Sequence, residues 1–265
     1  MPTSAVRATA VAGLFYPDDP AILADQVAVM LAAAPAQPMQ PKALIVPHAG
    51  YVYSGPIAAS AYAVLRPLAT RIRRVVLFGP AHRAAVAGLA APAAAAFATP
   101  LGAIDVDTDA VSAAAQLPQV EISDSAHAEE HSLEVQLPFL QKVLDRFVIA
   151  PFVVGGASGV QVAEVMELLW GGPETLIVVS SDLSHYLPYQ VARQVDGATA
   201  ESILHKRPLA HHEQACGAAA INGLIEAARR KHLEPSLLDQ RNSGDTAGDK
   251  ARVVGYAAFA FTEAA

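Results

Sequence analysis

Four short apolar runs, each closed by a turn, constrain this 265-residue chain more than any other feature. Ala43-Leu44-Ile45-Val46 runs into Pro47-His48, and Val75-Val76-Leu77-Phe78 into Gly79-Pro80-Ala81-His82. Val148 to Val154 ends at Gly155-Gly156, and Leu176-Ile177-Val178-Val179 ends at Ser180-Ser181-Asp182. Uninterrupted runs of this length read as strands buried on both faces, which belong in a parallel or mixed sheet. Helical segments alternate with them. Asp19-Pro20 reads as an N-cap with proline at the first helical position, followed by Leu23, Val27, Met30 and Leu31 on one face. Gly55-Pro56 opens a second helix that stops before Pro67. Leu133, Leu137, Leu140 and Leu144 mark a third, in which Pro138 either sits in the first turns or kinks the helix. Ser158 caps a fourth, residues 187–205 and 209–230 read as two more, and Arg252 to Phe261 as a last strand. The pattern predicts an α/β fold spanning 1–265 as a single domain, a central mixed β-sheet with helices on both faces.

Composition narrows the function classes. Hydrophobic residues are 53% and charged residues 16% of the chain, enough to bury a sizeable core and too apolar for global disorder. The net charge is −7 and no basic cluster appears, which argues against a nucleic-acid partner. A single cysteine, Cys216, excludes a disulfide framework and a cysteine-rich zinc site, and reads as packed in an Ala/Gly-rich helix. Met1 to Tyr16 carries one charge, Arg7, and no sustained apolar core, so no signal peptide is expected. Residues 84–104 are uncharged over a length that could span a bilayer, but Gly88, Pro92, Pro100 and Gly102 interrupt them. They read as a loose or buried stretch, and the chain as a soluble, cytoplasmic protein without a membrane partner.

Ligands of open α/β sheets bind at the carboxyl ends of strands. Three of the four runs end there in a titratable group: His48, His82, and Asp182 with His185 three residues on. Their glycine and proline neighbours make sharp turns and leave room for a ligand; ordinary strand-to-helix turns use the same residues. Glu130 and Glu134 are four apart, on one helical face with His131 beside them, an arrangement able to tune an acid/base group or simply to serve a helix dipole. The polar loop 242–249 before the last strand could bring a carboxylate over the site. His48, His82 and Asp245 then match the two-histidine, one-carboxylate count of non-haem iron.

These motifs, in this order, resemble the Memo family, whose bacterial members form the AmmeMemoRadiSam system protein B group. The matching stretches include Gly13-Leu14-Phe15-Tyr16-Pro17, Pro47-His48-Ala49-Gly50-Tyr51, Gly79-Pro80-Ala81-His82, Glu130-His131-Ser132-Leu133-Glu134, Ser180 to Tyr186, Cys216-Gly217 and Val254-Gly255-Tyr256. The resemblance implies a fold similar to the class III, LigB-type, non-haem iron extradiol dioxygenases. It assigns His48 and His82 to the metal, and places His131, Asp182 and His185 around the same pocket as catalytic candidates. The animal family member has a cysteine near the third ligand position; here the comparison puts Asp245 or Thr246 there. Iron(II) is the implied cofactor, with copper the alternative. Implied partners are a small-molecule substrate or peptide, an AMMECR-domain protein and a radical SAM protein. Two functions compete: a metal-dependent oxidoreductase of unknown substrate, and a non-catalytic protein that binds metal, small molecule or peptide in a vestigial dioxygenase pocket.

Overall fold

Every residue of Ala43–Val46 and of Thr175–Ser180 is buried, as only strands covered on both faces can be. The computed structural model describes residues 5–35 and 38–263; residues 1–4, on which part of the leader expectation rests, lie outside them. From the N-terminus the strands are β1 (Val6–Arg7), β2 (Ala43–Val46), β3 (Arg74–Pro80), β4 (Leu89–Ala91), β5 (Ala96–Thr99) and β6 (Gly102–Asp105). They continue as β7 (Val120–Ile122), β8 (Val148–Val154), β9 (Thr175–Ser180), β10 (His185–Leu187), β11 (Leu233–Asn242) and β12 (Val253–Glu263). The main sheet runs β10-β12-β2-β9-β3-β8-β4-β7, with β11 also paired to β12; β1, β5 and β6 form a small second sheet. Its centre, β2-β9-β3-β8, is parallel, and β12 lies antiparallel against β2. The carboxyl ends of β2, β9 and β3 are therefore neighbours, and β12 starts at that same edge.

The helices are α1 (Pro20–Ala33), α2 (Tyr51–Ala63), α3 (Thr108–Ala114), α4 (Asp124–Ala128) and α5 (Leu137–Val143). The rest are α6 (Gly159–Leu168), α7 (Tyr189–Leu204), α8 (Ala218–Arg230) and α9 (Ser243–Thr246). Helices α1, α2 and α5 pack together, as do α6 and α8, and both groups cover the sheet. The expected caps are in place: the Asp19 carboxylate accepts the Ala21 and Ile22 N–H groups, and Ser158 forms a capping box with Gln161.

Several elements differ from the pattern, each for a physical reason. Helix α2 starts at Tyr51, so Pro56 lies inside it and leaves the Val52 carbonyl without its helical donor on an exposed turn. Residues 209–217 are not helical; α8 starts only after Gly217. The interrupted stretch 84–104 contributes three short strands. Among the described residues no helix is long and apolar enough to cross a membrane. Strand β11 has no apolar alternation because neither of its faces is buried along its length; it pairs only with β12, and such an edge strand tolerates Pro235. Glu130 and Glu134 do not share a helical face: α4 ends at Ala128, the chain turns, and a short 3-10 turn covers Glu134–Gln136.

Candidate metal centre

His48 follows β2, His82 follows β3, and Asp182 follows the strand between them. Shared strand direction thus brings together residues up to 134 positions apart, the separation of the His48 N–H from the Asp182 carboxylate that accepts it at 2.8 Å. A third imidazole, His131, arrives from the turn after α4. One ring nitrogen from each of His48, His82 and His131 lies within 4.8 Å of the others, a set able to hold a metal ion. Ring centroids are 5.2 Å apart for His48 and His82, 5.4 Å for His48 and His131, and 4.5 Å for His82 and His131. Above them opens a cavity of about 740 Å³, also lined by Phe15, Tyr53, Asp182, His185 and Tyr256.

Hydrogen bonding fixes two of the three rings. The Gln136 amide nitrogen donates to the Pro47 carbonyl and to Ser180 Oγ, and the Ser180 hydroxyl donates to the Ser132 carbonyl at 2.6 Å. With its only hydrogen so committed, Ser180 Oγ must accept from His48 Nδ1 at 2.8 Å. Nε2 of His48 then carries the free lone pair. His82 Nδ1 faces the Glu130 carboxylate at 2.9 Å, so its Nε2 is likewise free. Glu130 is buried, which alone would raise its pKa. Hydrogen bonds from the His82 ring, the His82 N–H and the Ser132 N–H reverse this and hold it at about 2. Nδ1 of His131 is buried with no hydrogen-bond partner among the described residues; Glu130 Oε1 lies 3.4 Å away, outside hydrogen-bond geometry.

Burial favours the neutral form of His48 and His131. It drives His48 well below its ordinary pKa and His131 to about 4. His185 is also lowered by burial. Asp182 moves the other way: burial raises it to about 7 against the opposing His48 and Ala49 N–H bonds. Three imidazoles, one with an orphaned buried nitrogen, fit a divalent first-row transition metal.

Asp245 stands apart from this cluster. Its carboxylate accepts the Tyr189 hydroxyl at 2.5 Å and the Asn242 N–H at 3.0 Å, closing a capping box at the start of α9. It lines a separate recess with Arg193 and Asp196. The structure sets His131, rather than Asp245, beside His48 and His82. From the loop 242–249 it is Ser243, Ala247, Gly248 and Asp249 that reach the cavity; Thr246 Oγ1 donates to the Ser243 carbonyl instead.

Cys216 is the functional candidate that sequence reasoning missed. Its Sγ lies 3.3 Å from His48 Nε2 and accepts the Asp182 N–H at 3.3 Å. The sulfur thus sits against the lone pair that a metal would take, and the thiol also reaches the Asp182 carbonyl at 3.6 Å. Burial, followed by the Asp182 charge, pushes its pKa up to about 12. Gly217 makes the approach feasible: a Cβ there would lie 2.7 Å from Ser181 Cβ. The signal was the Cys216-Gly217 pair itself, which marked the place without revealing its neighbour.

A mixed α/β sheet with three imidazoles gathered at the carboxyl ends of its central parallel strands defines a class of protein with a site able to hold a metal ion. Comparison with known sequences gives the family. The family described as "Memo-like protein" matches residues 7–260. A MEMO1 family protein of Aquifex aeolicus is 35% identical over 272 residues, covering 97% of this chain and 99% of the relative. One from Methanosarcina barkeri is 35% identical, covering 96% and 98%, and one from Aeropyrum pernix is 38% identical, covering 82% of each. The chain belongs to the Memo-like family.

Proposed function

We propose that this protein is a non-haem metal-dependent oxidoreductase acting on a small molecule, with iron(II) as its cofactor. The observation that carries the reading is the cluster of three imidazoles at the floor of a cavity large enough for a substrate. His48, His82 and His131 would hold the ion. When bound, it would supply Lewis-acid and one-electron redox chemistry. Ser180 orients His48, and Glu130 orients His82 and keeps its Nε2 available. Asp182 and His185 line the cavity beside the cluster and are the groups placed to pass a proton to or from a substrate. Phe15, packed 4.8 Å from His131, limits water on that flank. The resemblance to LigB-type dioxygenases supports the reaction class, and the AMMECR-domain and radical SAM partners belong to the same proposal.

Copper is the second reading, and Cys216 favours it. A soft sulfur donor next to His48 suits copper(I), and metal binding would strip the thiol proton. Elemental analysis tests both: protein purified anaerobically, without chelators or a His-tag, should carry one equivalent of metal. His48→Ala should lose it. Metal-free wild-type protein that still binds small anions would instead favour a non-catalytic binding protein.

A further inference from the structure

Arg252 lines the cavity and is exposed. In a chain of net charge −7, no carboxylate among the described residues lies in ion-pair range of it. Arg7, Arg74, Arg230 and Arg241, by contrast, each pair with an acid. Asp249 lines the same cavity, but one of its oxygens accepts the Ala251 N–H at 2.7 Å and it makes no bridge to Arg252. What Arg252 does meet is an aromatic face: its guanidinium carbon lies 5.2 Å from the Tyr186 ring centroid. Tyr186 takes a φ of 58°, in the left-handed region, at the irregularity where β10 meets β12. Bulky residues rarely adopt that conformation, and here no core packing offsets it, because the residue is 62% exposed. The strain places the ring on the cavity wall, which Phe15 and Tyr53 also line.

We propose that Arg252, backed by Tyr186, is a carboxylate-recognition point and that the substrate class is an aromatic monoanion, a ring carrying one carboxylate. The inference rests on the cavity being the substrate site. A single planar guanidinium matches one carboxylate in a two-bond fork. A phosphate would call for more cationic donors, and no other Arg or Lys among the described residues lines the cavity. The aromatic wall suits a flat ring, and about 740 Å³ is in the range of small-molecule sites.

Calorimetric titration with 4-hydroxybenzoate and 4-hydroxybenzamide tests this, on protein with its metal and on protein treated with chelator. Wild-type protein should bind the acid about tenfold more tightly than the amide. Arg252→Gln should remove that difference with metal content and melting temperature unchanged, and Arg252→Lys should restore only part of it. Equal affinities in the wild type, no binding of either probe, or an acid preference that survives in Arg252→Gln would overturn the proposal. So would inorganic phosphate binding more tightly than the acid. The metal reading fails separately: protein that never carries metal, yet keeps an Arg252-dependent preference, refutes the oxidoreductase and leaves the carboxylate point standing.

Discussion

Glu130 shows how much of the site rests on one buried side chain. Both its oxygens are spent on His82 and Ser132, and its charge is what sets the His82 ring nitrogen as a donor. Glu130→Gln keeps the shape and removes the charge. We expect metal affinity to fall about 10- to 100-fold, read by competition with a chelating dye, with the far-UV spectrum intact. Wild-type affinity would show that the ring is oriented by packing alone. Asp245→Asn makes the reverse case. Its carboxylate serves Tyr189 and the Asn242 N–H, so metal stoichiometry should stay at the wild-type value while stability drops by about 1 kcal/mol from the weakened cap. Loss of metal in this variant would reinstate Asp245 as a ligand. Cys216→Ser should cut copper(I) uptake at least about tenfold and leave iron(II) uptake near the wild-type level, since a hydroxyl is a poor donor to a soft ion.

Among the elements, those that position His48, His82 and Asp182 were legible because each lies at the end of an apolar run, and strand direction alone then puts the three at one edge. The resemblance placed His131 at the same pocket but not beside the two histidines as a third imidazole, and the position of Cys216 was not legible. Both come from turns whose approach depends on contacts remote in sequence. The pattern of leucines located α5 but overran it at both ends, since Leu133 and Leu144 lie outside it, and it could not show that the chain breaks between Ala128 and Leu137, separating Glu130 from Glu134. Strand β11 escaped for want of any alternation. The approach of α8 to the site turns on Gly217, whose missing side chain leaves space for Ser181 and the Ser180 carbonyl, 2.7 and 2.8 Å from where a Cβ would sit. Gly217→Ala should push the start of α8 and Cys216 away from β9. The expected cost is about 1–3 kcal/mol in urea unfolding, accompanied by faster thiol labelling of Cys216. An unchanged midpoint and labelling rate would show that the turn absorbs the methyl group.

At the scale of the whole molecule, residues 7–16 clasp the turn that carries His131. Arg7 pairs with the buried Glu134, which also accepts the Ala10 and Val11 N–H groups and the Tyr16 hydroxyl. Arg7 further donates to the His127 and Glu130 carbonyls. His127 sits inside this clasp, its Nε2 donating to the Ala90 carbonyl at 3.0 Å and its ring edge-on to Phe97. Burial lowers its pKa to about 4, with the Arg7 guanidinium adding to the effect and the Ala90 bond, Asp124 and Glu130 opposing it. The consequence for stability has a definite sign. Between about pH 6.5 and pH 4 the unfolded chain protonates this histidine and the folded chain does not, so stability falls as pH falls through that window. Above it, neither form is charged and nothing changes. At pH 4.5 the penalty approaches the full shift, roughly 2–3 kcal/mol. His127→Gln can still donate to the Ala90 carbonyl but cannot titrate. Urea unfolding of chelator-treated protein at pH 7 and pH 4.5 isolates the effect, because the other buried histidines titrate alike in both proteins. The wild type should lose about 2 kcal/mol more than His127→Gln on acidification. Equal losses would place the acid sensitivity outside His127.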